Sequence, residues 1–105
     1  MLAADELKKL QKFFNSKQEQ ILINSFKALS DANRHHIFEL LKNSKKLSTS
    51  EIAEALKISV PLASQHLKTL EQANLVIKEK SGQKKIYHLN LDNDFVKIII
   101  NHRQK

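Results

Sequence analysis

The chain is 105 residues long and carries 18 Lys or Arg against 11 Asp or Glu, a net charge of +7 with neutral histidines. It has no cysteine, which excludes disulfides, thiolate metal sites and thiol redox switches. No apolar run approaches the ~18 residues of a membrane span and the N-terminus is too charged for a signal peptide, so we expect one soluble, cytoplasmic domain whose charge favours a polyanionic partner, nucleic acid before an anionic membrane surface.

One Gly and one Pro in the whole chain point to helices joined by few tight turns. Residues 3–14 are predicted as a first helix, with Leu7, Leu10 and Phe14 at i, i+3, i+7 and Phe13 beside them. Ser16 and Glu19 have the spacing of a capping box, and open a second helix that runs to about Leu29 with Leu22, Phe26 and Leu29 on one face. Ser30-Asp31 caps a third, whose apolar side is Ile37, Phe38 and Leu41. "KNSKK" (42–46) is predicted as a polar loop.

Ser48 and Glu51 make another capping box, followed by Ile52, Ala55 and Leu56 at i, i+3, i+4. After a short break at Lys57-Ile58, Ser59 is the expected N-cap of the next helix, 60–73. Pro61 then falls in the first turn, where its missing N–H costs nothing and its fixed φ pre-forms the helix start. "LVIKEK" and "KKIYHLN" are β-rich and flank the only Gly, Gly82, which predicts a hairpin over 75–90 with a basic tip, "KSGQKK". The last segment, from Asp92, has acidic residues at its start and basic ones at its end, as the helix dipole favours. Phe95, Ile98, Ile99 and His102 fit one face of that helix.

At about 100° per residue, Ala63, Leu67, Leu70 and Asn74 share the side of helix 60–73 expected to face the core. Pro61, Gln65, Lys68 and Gln72 lie opposite, flanked by Leu62, Ser64 and Thr69, with no carboxylate among them. A helix that enters the major groove needs this inventory: an amide for adenine, an apolar tip for the thymine methyl, Lys and hydroxyls for phosphate. An ordinary solvated helix face is the bland alternative. Helix, short turn, helix and basic hairpin, in that order, form a winged helix-turn-helix. The expected fold is therefore mainly α, five to six helices with a two-stranded wing. The expected DNA-binding residues are Pro61, Leu62, Ser64, Gln65, His66, Lys68 and Thr69 on the helix and Gln83, Lys84 and Lys85 on the wing.

From about Phe26 to Asn90 the sequence resembles the ArsR/SmtB-type winged-helix repressors. "FKALSDANRHHIFELL" is similar to that family's F-K-A-L-S-D-P-T-R-L-x-I-L-x-L-L, with Arg34 at the Arg. "LKISVPLASQHLKTLEQANLV" resembles L-G-L-S-Q-S-T-V-S-R-H-L-K-V-L-R-x-A-G-L-V, matching at Ser59, Ser64, His66, Leu67, Lys68 and Leu70. "GQKKIYHLN" matches G-R-x-V-Y-Y-x-L-x at Gly82, Tyr87 and Leu89. The resemblance implies a repressor acting as a homodimer, joined through its first and last helices, on an imperfect palindrome of double-stranded DNA. The apolar stripes agree, which puts residues 1–29 and 92–105 in dimerisation through Leu7, Leu10, Phe14, Phe95, Ile98, Ile99 and His102, and residues 48–74 in the helix-turn-helix.

Metal-sensing members of that family carry Cys where this chain has Ser48 and Ser50, and hydroxyls are poor ligands for soft metals. Asp92, Asp94 and His102 would suit another of the family's metal sites, but the second His at the required spacing is missing. No metal and no cofactor is therefore expected, and the sequence identifies no inducer and leaves open whether one exists. His35, beside His36, stands where the family has an apolar residue, and is expected as a half-buried imidazole at a helix seam, with a pH or metal switch as the alternative reading. No Gly-rich phosphate loop, nucleophile elbow or zinc-protease motif is present, so no enzyme is expected.

Overall fold

The computed structural model describes residues 1–103. The order is α1 (Ala4–Phe13), α2 (Lys17–Leu29), α3 (Ala32–Ser44), β1 (Leu47–Ser48), α4 (Thr49–Leu56), α5 (Val60–Gln72), β2 (Val76–Ser81), β3 (Lys84–Leu89) and α6 (Asp94–Arg103). This is a winged helix-turn-helix. Its sheet has three antiparallel strands in the order β1-β3-β2, one more than the expected two-stranded wing. The extra strand pairs Leu47 with Tyr87 and Ser48 with Ile86. Two residues are too few to show an alternating pattern, so only the long-range pairing reveals them.

The caps explain where the helices begin. Ser48 Oγ accepts from the Glu51 N–H at 3.2 Å and the Glu51 carboxylate accepts from the Ser48 N–H at 2.9 Å, a complete box. The Ser16 box is only half formed: Ser16 Oγ accepts from Glu19 N–H, but the Glu19 carboxylate accepts from Asn15 N–H, one residue earlier. Asp31 caps α3 through the Arg34 N–H and Ser59 caps α5 through the Leu62 N–H, with Pro61 in the first turn. Contrary to the loop expected at 42–46, α3 continues through Ser44. Four non-glycine residues have positive φ, Asn15, Lys45, Lys57 and Asn74, each just beyond a helix. At Lys57 and Asn74 the family motif quoted above has Gly, the residue that adopts this conformation without steric cost.

The core joins the helix-turn-helix to the base of the wing. Ile37, Phe38 and Leu41 of α3 meet Ile52 and Ala53 of α4 and Ala63, Leu67 and Leu70 of α5, together with Leu75, Val76, Tyr87, Leu89 and Val96. Ala53 fills the place expected of Ala55, which is exposed. Asn74 leaves the predicted core face because α5 ends at Gln72. It is exposed, and its carbonyl accepts from the Asn90 and Asn93 amides. On α2 the buried residues are Ser25 and Ala28, not Phe26. Phe26 remains exposed while meeting the Phe95 ring edge-on at 5.4 Å. On α6, Val96 is fully buried beside the partly buried Phe95 and Ile99. His102 belongs to α6, but its side chain falls outside the described residues, as do residues 104–105.

Candidate nucleic-acid interface

Burial of Ala63, Leu67 and Leu70 fixes the rotation of α5, and with it the opposite face. Pro61, Leu62, Gln65 and Lys68 are exposed there, while Ser64 and Thr69 are half-buried on the flanks. The Thr69 hydroxyl already donates to the Gln65 carbonyl at 3.2 Å. His66 stands apart from the other predicted contacts. Its side chain is only 12% exposed, and its ring is turned toward the start of α3.

The wing strands β2 and β3 pair in continuous register from Val76–Leu89 to Ser81–Lys84. Gly82 (φ 64) and Gln83 form the two-residue turn, and Gly at the first central position is what a type II′ hairpin favours. Gln83, Lys84 and Lys85 are all exposed. At the wing base, Glu79 Oε2 lies 3.0 Å from Lys46 Nζ and 2.8 Å from His88 Nε2, and Lys46 foremost holds the Glu79 carboxyl below its usual range. Tyr87, buried at the root of the hairpin, bonds to Thr49 of α4; burial raises its phenol pKa.

A groove of about 610 Å³ runs between α5 and the wing. It brings the predicted Ser64, Gln83, Lys84 and Lys85 together with residues sequence reasoning missed, Thr49 and Ser50 at the start of α4 and Val60 at the start of α5. The signal for the first two was present: they follow the Ser48 cap, in a turn whose backbone N–H groups are free at a helix start. Glu51 also lines the groove, so a carboxylate does border the face. It is committed to the Ser48 cap, whose N–H chiefly lowers its pKa, with a smaller contribution from Lys84.

On the other flank of α5, Arg34 Nε donates to the Ala28 carbonyl at 2.6 Å, and Nη1 lies 3.3 Å from His66 Nδ1. Asp31 Oδ2 is 3.8 Å from the same His66 nitrogen. The Arg34 N–H, ahead of the Arg34 and His66 charges, holds the Asp31 carboxyl below the usual carboxylate range. His35 and His36 are exposed rather than set in a seam, and His35 faces Glu39 at 3.6 Å one turn on. The imidazole at the helix seam is His66 instead.

The residues expected to join two copies lie at the two ends of the chain. Leu7, Leu10 and Phe14 are exposed on and just after α1, and Ile98 is 67% exposed on α6. Phe95 and Ile99 are partly buried against the core. No helix among the described residues is long and apolar enough to cross a membrane, and no group of three or more His, Asp or Glu among them is placed to hold a metal ion.

An exposed helix 60–72 after a short turn, beside a basic hairpin, defines a winged-helix regulator with a DNA-binding domain. Residues 31–78 match the family model described as "Bacterial regulatory protein, arsR family". The chain is 42% identical over 67 residues to the transcriptional repressor SdpR of Bacillus subtilis, covering 64% of this chain and 73% of that protein. The crystal structure of the transcriptional regulator HlyU from Vibrio vulnificus superposes with a TM-score of 0.71 at 31% identity, over 92% of this chain and 93% of that one. The homodimeric winged helix-turn-helix domain Mb0332 of Mycobacterium bovis shares the fold at a TM-score of 0.71 and 23% identity, over 83% of this chain and 78% of that one. The protein belongs to the ArsR family of bacterial transcriptional regulators.

Proposed function

We propose that the protein is a homodimeric, sequence-specific repressor, acting in the cytoplasm on an imperfect DNA palindrome. The observation that carries this reading is the exposed face Pro61, Leu62, Gln65 and Lys68 of α5, beside a groove that runs from Val60 and Ser64 of the same helix to Lys84 and Lys85 of the wing. In this reading α5 lies in the major groove with Leu62 and Gln65 at base edges. Ser64, Lys68 and Thr69 hold phosphate, and Gln83, Lys84 and Lys85 meet the backbone or the adjacent minor groove. His66 serves from behind, because its ring is turned inward. The chain divides accordingly into dimerising ends (1–29 and 92–105), helix-turn-helix (48–74) and wing (75–90). Two copies joined through α1 and α6 would present two recognition helices about 34–36 Å apart, one turn of DNA. Repression is supported by the likeness to SdpR, and pairing by the homodimeric state of the Mycobacterium bovis domain.

Fluorescence anisotropy on a duplex enriched from a random-sequence library, against a scrambled duplex, tests the reading. Gln65→Ala is expected to cost about 1–3 kcal/mol on the enriched duplex and little on the scrambled one. Lys84→Ala is expected to weaken both and to reduce the salt slope by about one unit. Equal losses for Gln65→Ala on both duplexes would remove α5 from the major groove. A wild-type chain that discriminates among no duplexes would point to a protein-binding winged helix instead.

A further inference from the structure

We infer that Arg34 is a positioning residue for the recognition helix, tying the end of α2 to His66 and so setting how α5 presents Gln65 to the bases. The inference rests on the DNA-binding reading above. Apolar packing through Ala63, Leu67 and Leu70 presses α5 onto the core but is not directional, so it leaves small slides and rotations cheap. The Arg34 fork supplies the direction. Its Nε is anchored on the carbonyl of the buried Ala28, and its Nη1 reaches the ring of the residue next to Gln65.

A guanidinium only donates, so His66 Nδ1 accepts and the ring proton sits on Nε2. Asp31 Oδ2 faces the same nitrogen at 3.8 Å, and would become its partner only if that nitrogen carried a proton. The tie therefore needs an acceptor at the Nδ1 position, and a side chain of similar size without one would leave the Arg34 fork unmatched on the α5 side.

The test uses the full chain and the library-enriched duplex, with a scrambled duplex of the same composition as the reference. Arg34→Lys keeps the charge but cannot reach both acceptors, and should lose about tenfold in discrimination while binding the scrambled duplex as before. His66→Asn places an amide oxygen where Nδ1 stands and should discriminate as well as the wild type, whereas His66→Leu offers Arg34 no acceptor and should lose about tenfold. Full discrimination by Arg34→Lys, or equal discrimination by His66→Asn and His66→Leu, would overturn the inference. If Arg34→Lys fails to fold by circular dichroism, the two His66 variants decide alone. A chain that enriches no duplex overturns the DNA-binding reading and this inference with it. An enriched duplex that depends on Gln65 but not on Arg34 overturns only the inference.

Discussion

Between Ala28 and Leu89 the chain buries most of its apolar residues, from Phe38 at the centre of α3 to Tyr87 at the foot of the wing, and leaves Val60, Leu62 and Ile77 exposed. The first helix does the opposite. α1 has no buried residue, and its Leu7 and Leu10 face outward, as Ile98 does on α6. The middle thus holds most of the core, closed by Val96 of α6, whereas α1 and the outer side of α6 hold apolar surface that a single copy leaves in water. Phe26 and Phe95 mark the border, packed ring edge to ring face while Phe26 stays exposed. The groove proposed to meet DNA belongs to the middle, and the surface proposed to meet a second copy belongs to the ends. Reading DNA and pairing are therefore open to separate mutation.

The largest expected effect probes the middle. Phe38→Ala removes a side chain buried to 2% exposure and should cost about 3–5 kcal/mol in urea denaturation. Leu10→Ala, on an exposed helix, should cost less than about 1 kcal/mol when the chain is dilute enough to be a single copy. Comparable losses would mean that α1 is part of the fold core.

The next effect probes the ends. Leu10→Glu with Ile98→Glu places two charges on the surface proposed to meet a second copy, and leaves the core of the middle untouched. Sedimentation should shift from two copies to one with helical content retained. Affinity for the enriched duplex should fall more than about tenfold, because the second half-site no longer binds as part of the same molecule. An unchanged mass would remove α1 and α6 from assembly.

Much of the middle was legible in the sequence because its signals are local. Ser48 and Glu51, Ser59 and Pro61, and the lone Gly82 each fix a helix start or turn within a few residues. What escaped depends on contacts distant in sequence. β1 exists only through Tyr87 and Ile86, and His66 turns inward only because Arg34 and Asp31 await it. On α2 and α6 the apolar stripe and the buried face are not the same. Phe26 and Ile98 fit an apolar stripe, yet the core takes the smaller Ser25, Ala28 and Val96, whose size allows close helix approach. A stripe marks a surface to be covered, and does not say whether the chain or a partner covers it.

The smallest effect concerns the turn between α4 and α5, in the self-buried middle yet at the edge of the proposed DNA face. Lys57 ends α4 with φ 57 and ψ 44, its N–H bonded back to the helix and its side chain exposed. A residue with a Cβ pays about 1–2 kcal/mol for that conformation. Glycine avoids that cost but loses more backbone freedom on folding, about 0.5–1 kcal/mol. Lys57→Gly should therefore gain about 0.5 kcal/mol net and raise the thermal midpoint by roughly 2–4 °C. The same change removes a cation, so binding to all duplexes should weaken slightly, with a shallower salt dependence if Lys57 reaches phosphate. A higher midpoint with weaker binding would show this turn giving up local stability to keep a positive charge beside the recognition helix. A higher midpoint with unchanged binding would leave Lys57 outside the DNA face and confine that face to α5, the start of α4 and the wing.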